Sequence, residues 1–329
     1  MPIAALLVIG TLVSGSASDQ DAKSSGPDPG FHPVDLSTYY NKRAGRWPPG
    51  SCWSAVPWGR RVYDGVPFEC GGVLEVAGLD AARRIGEVFR GRFTGIPVGS
   101  AGTWLHILHG TGWSEADGVP IARLAVHYEN GQTTNLLISY GVHVRNWWQE
   151  PSESESRLSD PNSKVAWSAP NPEQAGRPTT LRFFKSSFAN PHPSWVIATL
   201  DIESLFSRAT PVVVAITVGK AGEGVKPQPI AAMPLPGRFN QRMVVKAAAS
   251  GQPINGARVE VVLSDGELLY LFGTQTTDAA GRTILEFSRE PIRELILSVS
   301  APGYTPFQLN RDIVDLPPEL ELKLETPAQ

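Results

Sequence analysis

Residues 122–140 read Ala122-Arg-Leu124-Ala-Val126-His-Tyr128-Glu-Asn130-Gly131-Gln-Thr-Thr-Asn-Leu136-Leu-Ile138-Ser-Tyr140. Ala122, Leu124, Val126 and Tyr128 alternate with Arg123, Ala125, His127 and Glu129, the period of a strand, on which successive side chains point to opposite faces. Asn130-Gly131 supplies two residues that tolerate positive φ, as a tight hairpin turn requires, and Leu136, Ile138 and Tyr140 return with the same period. Alternation on both arms predicts a hairpin with one buried face and one wetter face.

Outward from this hairpin, short apolar stretches bounded by turn chemistry recur at 72–76, 91–96, 103–109, 180–184, 196–202 and 211–218. The 32 Gly and 29 Pro among 329 residues interrupt the chain too often for long helices. An all-β protein follows, with a sandwich or jelly roll over 51–220. Beyond it, Ala257, Val259, Val261 and Leu263 alternate with Arg258, Glu260 and Ser264, and Leu295, Leu297 and Val299 with Glu294, Ser298 and Ser300. Residues 241–313 therefore read as a second, smaller sandwich of roughly seven strands. Pro227, Pro229, Pro234 and Pro236 mark 221–240 as a semi-rigid linker, 18–50 reads as a flexible arm around Gly26-Pro-Asp-Pro-Gly30, and 314–329 as a tail. A polar stretch from Trp148 to Pro178, broken only by Val165-Ala-Trp167, reads as one long loop.

Residues 3–13 are apolar and are followed by Ser14-Gly-Ser-Ala17, the pattern of a signal peptide over 1–17. It predicts a secreted, periplasmic or cell-surface protein. No Lys or Arg precedes the apolar stretch, so a mis-started N-terminus stands as the other reading. The stretch is too short to span a bilayer, and no later segment is apolar enough, so no transmembrane segment is expected in the mature chain. Lys and Arg number 29 against 32 for Asp and Glu, scattered and without a basic face, which argues against nucleic acid as a partner. An even count of two cysteines in an exported chain favours a disulfide between Cys52 and Cys70; two buried free thiols are the alternative.

The run Gly251-Gln-Pro-Ile-Asn-Gly256-Ala257-Arg-Val259-Glu-Val261, then Thr277-Asp278-Ala-Ala-Gly281-Arg, then Val299-Ser-Ala301-Pro-Gly303-Tyr304 resembles the carboxypeptidase regulatory-like family across 242–312. The resemblance implies a transthyretin-like or immunoglobulin-like sandwich without catalytic residues, used as a spacer or interaction module, and no peptidase activity. The larger region resembles galactose-binding-like jelly rolls that accompany glycan-active domains, including their novel carbohydrate-binding type. The residues that carry this are Tyr63-Asp64-Gly65-Val66-Pro67-Phe68, the turn Asn130-Gly131, Asn146-Trp147-Trp148, Asn190-Pro191-His192-Pro193 and Ala215-Ile216-Thr217. No ligand identity is implied.

Sugar-binding modules stack pyranose C–H faces on aromatic rings and hold hydroxyls with nearby amides, acids or guanidinium groups. Nine Trp residues permit this, and the candidates are Trp147 and Trp148, with Arg145 and Asn146 as polar contacts, and Trp167 in the polar stretch. The competing reading makes these Trp side chains anchors of the sandwich and its loop. Asp64 reads as a turn aspartate before it reads as a ligand of a structural calcium, because no dense acidic cluster surrounds it. His106 and His109, three apart on a strand, face opposite ways and cannot chelate one metal together, and with His127 and His143 they read as core or edge histidines. No cofactor or metal is expected. No nucleophile elbow, zinc-binding helix or P-loop occurs, so no catalytic residue is assigned, although Asp64, Glu69, Glu75 and Glu129 leave open a carbohydrate-active hydrolase working with a carboxylate pair. The sequence thus points to a non-catalytic exported protein that binds a glycan or cell-surface polymer. A structural or protein-interaction component of the cell envelope, with an envelope protein as partner, is the second reading.

Overall fold

The computed structural model describes residues 29–86, 89–149, 157–174, 176–177, 179–226, 238–288 and 292–327. The expected signal peptide, the arm before residue 29 and the linker between 227 and 237 lie outside them. The chain is almost entirely β, built as two sandwiches in series. The first is formed by β1 (Phe31–Pro33), β2 (Lys42–Arg43), β3 (Gly59–Tyr63), β4 (Val66–Cys70), β5 (Gly72–Glu75), β6 (Arg92–Ser100) and β7 (Trp104–Gly112). It continues through β8 (Pro120–Tyr128), β9 (Thr133–Ser139), β10 (Trp148–Gln149), β11 (Ser163–Pro170), β12 (Thr180–Ala189), β13 (Ile197–Ser204) and β14 (Thr210–Gly219), with helix α1 (Leu79–Ile85) between β5 and β6.

The hairpin forms as read: β8 and β9 pair with Ala122 opposite Ile138 and Leu124 opposite Leu136, and Gly131 takes φ 82° at the turn. They belong to a four-stranded sheet ordered β6-β13-β8-β9, which faces a larger sheet ordered β10-β12-β7-β14-β5-β2, with β1 added on β14 and β11 on β12. Leu124, Val126, Leu200 and Ile202 of the small sheet meet Leu105, Ile107, Phe184 and Ile216 of the large one in a dry core. Each such side chain contributes about 1.5–3 kcal/mol through burial. The large sheet is covered on its other face as well, where Leu108, Leu181, Phe183 and Val214 pack under Trp53, Trp147 and Trp167.

Three sequence expectations are corrected. Residues 31–43, expected in a flexible arm, pair through β1 with β14 and through β2 with β5, and Val34 and Leu36 enter the core. The polar stretch before Pro178 holds β11, an edge strand against β12 with a bulge between Val165 and Trp167; the bulge and the polar outward face hide it from a periodicity count. The tail contains a strand, because Leu320, Leu322 and Leu324 alternate with acids and a lysine.

The second sandwich comprises β15 (Arg238–Ala247), β16 (Arg258–Ser264), β17 (Leu269–Thr276), β18 (Arg282–Ser288), β19 (Glu294–Ser300), β20 (Phe307–Asp312) and β21 (Glu319–Leu324). Its sheets run β18-β15-β21 and β17-β16-β19-β20, with β21 parallel to β15. The turn Thr277–Gly281 forms because Asp278 Oδ1 accepts from the N–H groups of Ala280 and Arg282 while Gly281 takes φ 69°.

The two sandwiches are joined by side chains. Ala77, Leu79, Ala82 and Phe206 of the first lie in the core cluster of the second. Arg83 reaches Asp265 at 3.1 Å, and Gly91 N–H donates to Leu271 O at 2.7 Å. Helix α1 is thus held on one face by the second sandwich.

Candidate functional site

A cleft of about 500 Å³ opens at one end of the large sheet of the first sandwich. Its floor and walls come from distant parts of the chain: Lys42, Trp53, Glu75, Phe89, Trp113, Asn146, Trp147, Trp148, Glu173 and Thr210. Strand β5 carries Glu75, whose backbone is gripped by the Asn41 side chain through two hydrogen bonds of 2.8 and 2.9 Å. Lys42 Nζ lies 2.7 Å from Glu75 Oε2 and 5.0 Å from the centre of the Phe89 ring, so the ammonium is held between a carboxylate and an aromatic face. Glu173 Oε1 accepts from Cys52 N–H at 2.7 Å. Trp113 directly follows β7 with φ 57°, a conformation uncommon for a bulky side chain, and stands half-buried at the rim. Two polar atoms on the lining, Trp148 Nε1 and Thr210 Oγ1, are buried with no hydrogen-bond partner among the described residues.

The structure brings three of the five expected binding residues to this cleft. Asn146 fixes the turn into β10, its Oδ1 accepting from Trp148 N–H at 3.1 Å, and Trp148 is half-buried against the cleft. Trp147 lines it but is only 7% exposed, clamped between Trp53 at 4.2 Å and Phe183 at 5.7 Å. Arg145 lies elsewhere, bound to Asp117 Oδ2 at 2.7 Å and to the Arg157 carbonyl at 3.0 Å. Trp167 is stacked on Phe183 at 5.4 Å, within the core, and does not line the cleft. Trp113, Lys42 and Phe89 were not singled out in the sequence. The one signal for Trp113 is its place directly after a strand and before the turn Ser114-Glu-Ala-Asp117-Gly118.

Cys52 and Cys70 are both buried free thiols, so the expected disulfide is not formed. Burial pushes each thiol up to about 12, and the Glu173 carboxylate adds to this for Cys52 by accepting its hydrogen bond. Asp64 sits in a hairpin turn with Gly65, both at positive φ. Its two oxygens hold Lys164 Nζ at 2.7 Å and Lys185 Nζ at 2.9 Å, ammonium groups in the places a calcium ion would need.

The histidines are built into the first sandwich. His106 Nε2 faces the Lys220 carbonyl at 2.9 Å, which can only accept, so that nitrogen carries the proton and Nδ1 accepts from Ser187 Oγ at 2.8 Å. His109 Nε2 lies 2.8 Å from Ser186 Oγ. Burial pushes His106 down to about 4 and His109 down to about 3. Both folded values lie below the unfolded value near 6.5, so the unfolded chain takes up protons first. Stability is full above about pH 6.5 and is lost as the pH falls through about 4 for His106 and about 3 for His109, by roughly 2–3 kcal/mol for each ring at pH 4.5. Urea unfolding at pH 7 and pH 4.5 checks this; equal midpoints would contradict it.

No family model matches the chain. No curated protein matches it either. Among solved structures, the C-terminal domain of the shaft pilin SpaA of Lactobacillus rhamnosus GG is similar at 12% identity, over 27% of this chain and 98% of that one, with a TM-score of 0.23. The pilus 2b backbone protein of group B streptococcus matches at 10% identity over 77% of this chain and 91% of its own, with a TM-score of 0.21. The 3-chlorocatechol 1,2-dioxygenase of Rhodococcus opacus 1CP matches at 12% identity over 28% of this chain and 61% of its own, with a TM-score of 0.22. Superpositions this loose establish neither a shared activity nor a shared assembly. Among the described residues, no helix is long and apolar enough to cross a membrane.

Proposed function

We propose that this chain is a non-catalytic exported protein that binds carbohydrate through the cleft at Trp148. The observation that carries the reading is the pairing, in one cleft, of half-buried Trp113 and Trp148 with Asn146, Thr210 and the Lys42–Glu75 ion pair. A pyranose has an apolar C–H face for an indole and a rim of hydroxyls for amide, hydroxyl and charged partners, and this lining offers both. Glu75 and Glu173 share the cleft, but one is engaged by Lys42 and the other by the Cys52 N–H, which supports binding over acid–base chemistry.

Trp148→Ala is expected to weaken retention in polysaccharide affinity gels roughly tenfold, the loss of one stacked ring, with the thermal midpoint little changed. A migration identical to that of the parent protein on every retaining glycan would remove the assignment. Release of reducing ends from a bound polysaccharide would convert the reading to that of a hydrolase.

A further inference from the structure

A second pocket, of about 450 Å³, adjoins the cleft and shares Trp113 and Asn146 with it. The two pockets meet at these residues. Beyond Trp113 the character changes from aromatic to charged. Arg84 of α1 and Arg208 both direct Nη2 at the same oxygen, Asp80 Oδ2, at 3.3 and 3.4 Å, and each side chain is 57% exposed. Glu115 is the other acid in this pocket, and its oxygens are taken by the N–H groups of Ala116 and Arg208. Each guanidinium has five N–H donors in a planar fork matched to a carboxylate, and the shared aspartate oxygen engages only Nη2 of each side chain.

Resting on the carbohydrate reading, we infer that the ligand is an acidic polysaccharide, bound along its chain, with one sugar ring at Trp148 and the carboxylate of a neighbouring uronic acid at Arg84 and Arg208. Two adjoining pockets of unlike character take two or more linked units. A single monosaccharide fills only one pocket and leaves the other in water.

The test is calorimetric titration of the full chain with uronate oligosaccharides from monomer to hexamer and with neutral oligosaccharides of equal length. Affinity is expected to rise about tenfold or more from monomer to tetramer and then level off. The acidic series is expected to bind about tenfold tighter than the neutral one. Arg84→Gln and Arg208→Gln, both at exposed positions, are expected to bring the acidic series down to the affinity of the neutral one, while Trp148→Ala weakens both series. Equal affinity for acidic and neutral chains, or for monomer and tetramer, overturns the inference and leaves the carbohydrate reading standing. Absence of binding to every saccharide overturns both.

Discussion

Trp147→Ala is expected to lower the stability of the first sandwich by about 3–5 kcal/mol, as a large aromatic removed from a close-packed interior does. The ring sits in a column of five: Trp47 stacks on Trp53 at 5.2 Å, Trp53 on Trp147 at 4.2 Å, Trp147 on Phe183 at 5.7 Å and Phe183 on Trp167 at 5.4 Å. Trp147 is the middle member, so its loss leaves a void bounded by rigid rings that cannot collapse without breaking further stacks. The sheet below is fitted to it as well: a Cβ added at Gly110 would lie 3.0 Å from Trp147 Cβ and 3.3 Å from Phe183. Urea unfolding followed by circular dichroism measures the loss. Trp148→Ala, at the adjacent half-buried position, is expected to cost less than half as much, so the pair separates the ring that supports the cleft from the ring that serves it. Equal losses in the two variants would refute this division.

Asn146-Trp147-Trp148 was legible as site material, although the two rings do not part to opposite faces as on a regular strand: both line the cleft, their centroids 6.4 Å apart. Which of the two turned inward was not, because the answer depends on Trp53, almost a hundred positions away, and on Phe183. The same holds for the cleft as a whole: Lys42, Glu75, Phe89, Trp113 and Thr210 meet only once the strands are assembled. Local signals fared better. Asn130-Gly131 and the turn ending at Gly281 marked their hairpins, since a positive φ is a demand a short sequence can state by itself. The alternation Leu320, Leu322, Leu324 was equally local and lay in a segment read as tail, where its partner β15 begins eighty residues earlier.

Glu203→Ala is expected to destabilise the protein by about 3–5 kcal/mol, the cost of removing one member of a buried ion pair. Glu203 on β13 lies opposite Arg123 of β8 and opposite Arg92 of β6, so the three form one row across the small sheet. Glu203 is 2% exposed and Arg123 9%, and the carboxylate binds the Arg123 guanidinium directly. At its Arg92 end the row is covered by the second sandwich. The Arg92 guanidinium lies over the Phe272 ring at 4.9 Å, and Gly273, at φ 140°, leaves room for its side chain. Removing the carboxylate leaves two guanidinium groups side by side under that cover, each disfavouring the other. Because the row is shielded from solvent, added salt should not reproduce the loss in the parent protein. The double variant Glu203→Leu with Arg123→Met, which replaces the pair by apolar groups of similar volume, is expected to regain most of the stability. A Glu203→Ala variant within about 0.5 kcal/mol of the parent would show that the row carries no such weight. If the loss appears, the charges of one sandwich and the aromatic face of the other depend on each other, and helix α1, which docks into that same junction through Leu79, Ala82 and Arg83 while turning Arg84 to the second pocket, is set in place by the second sandwich.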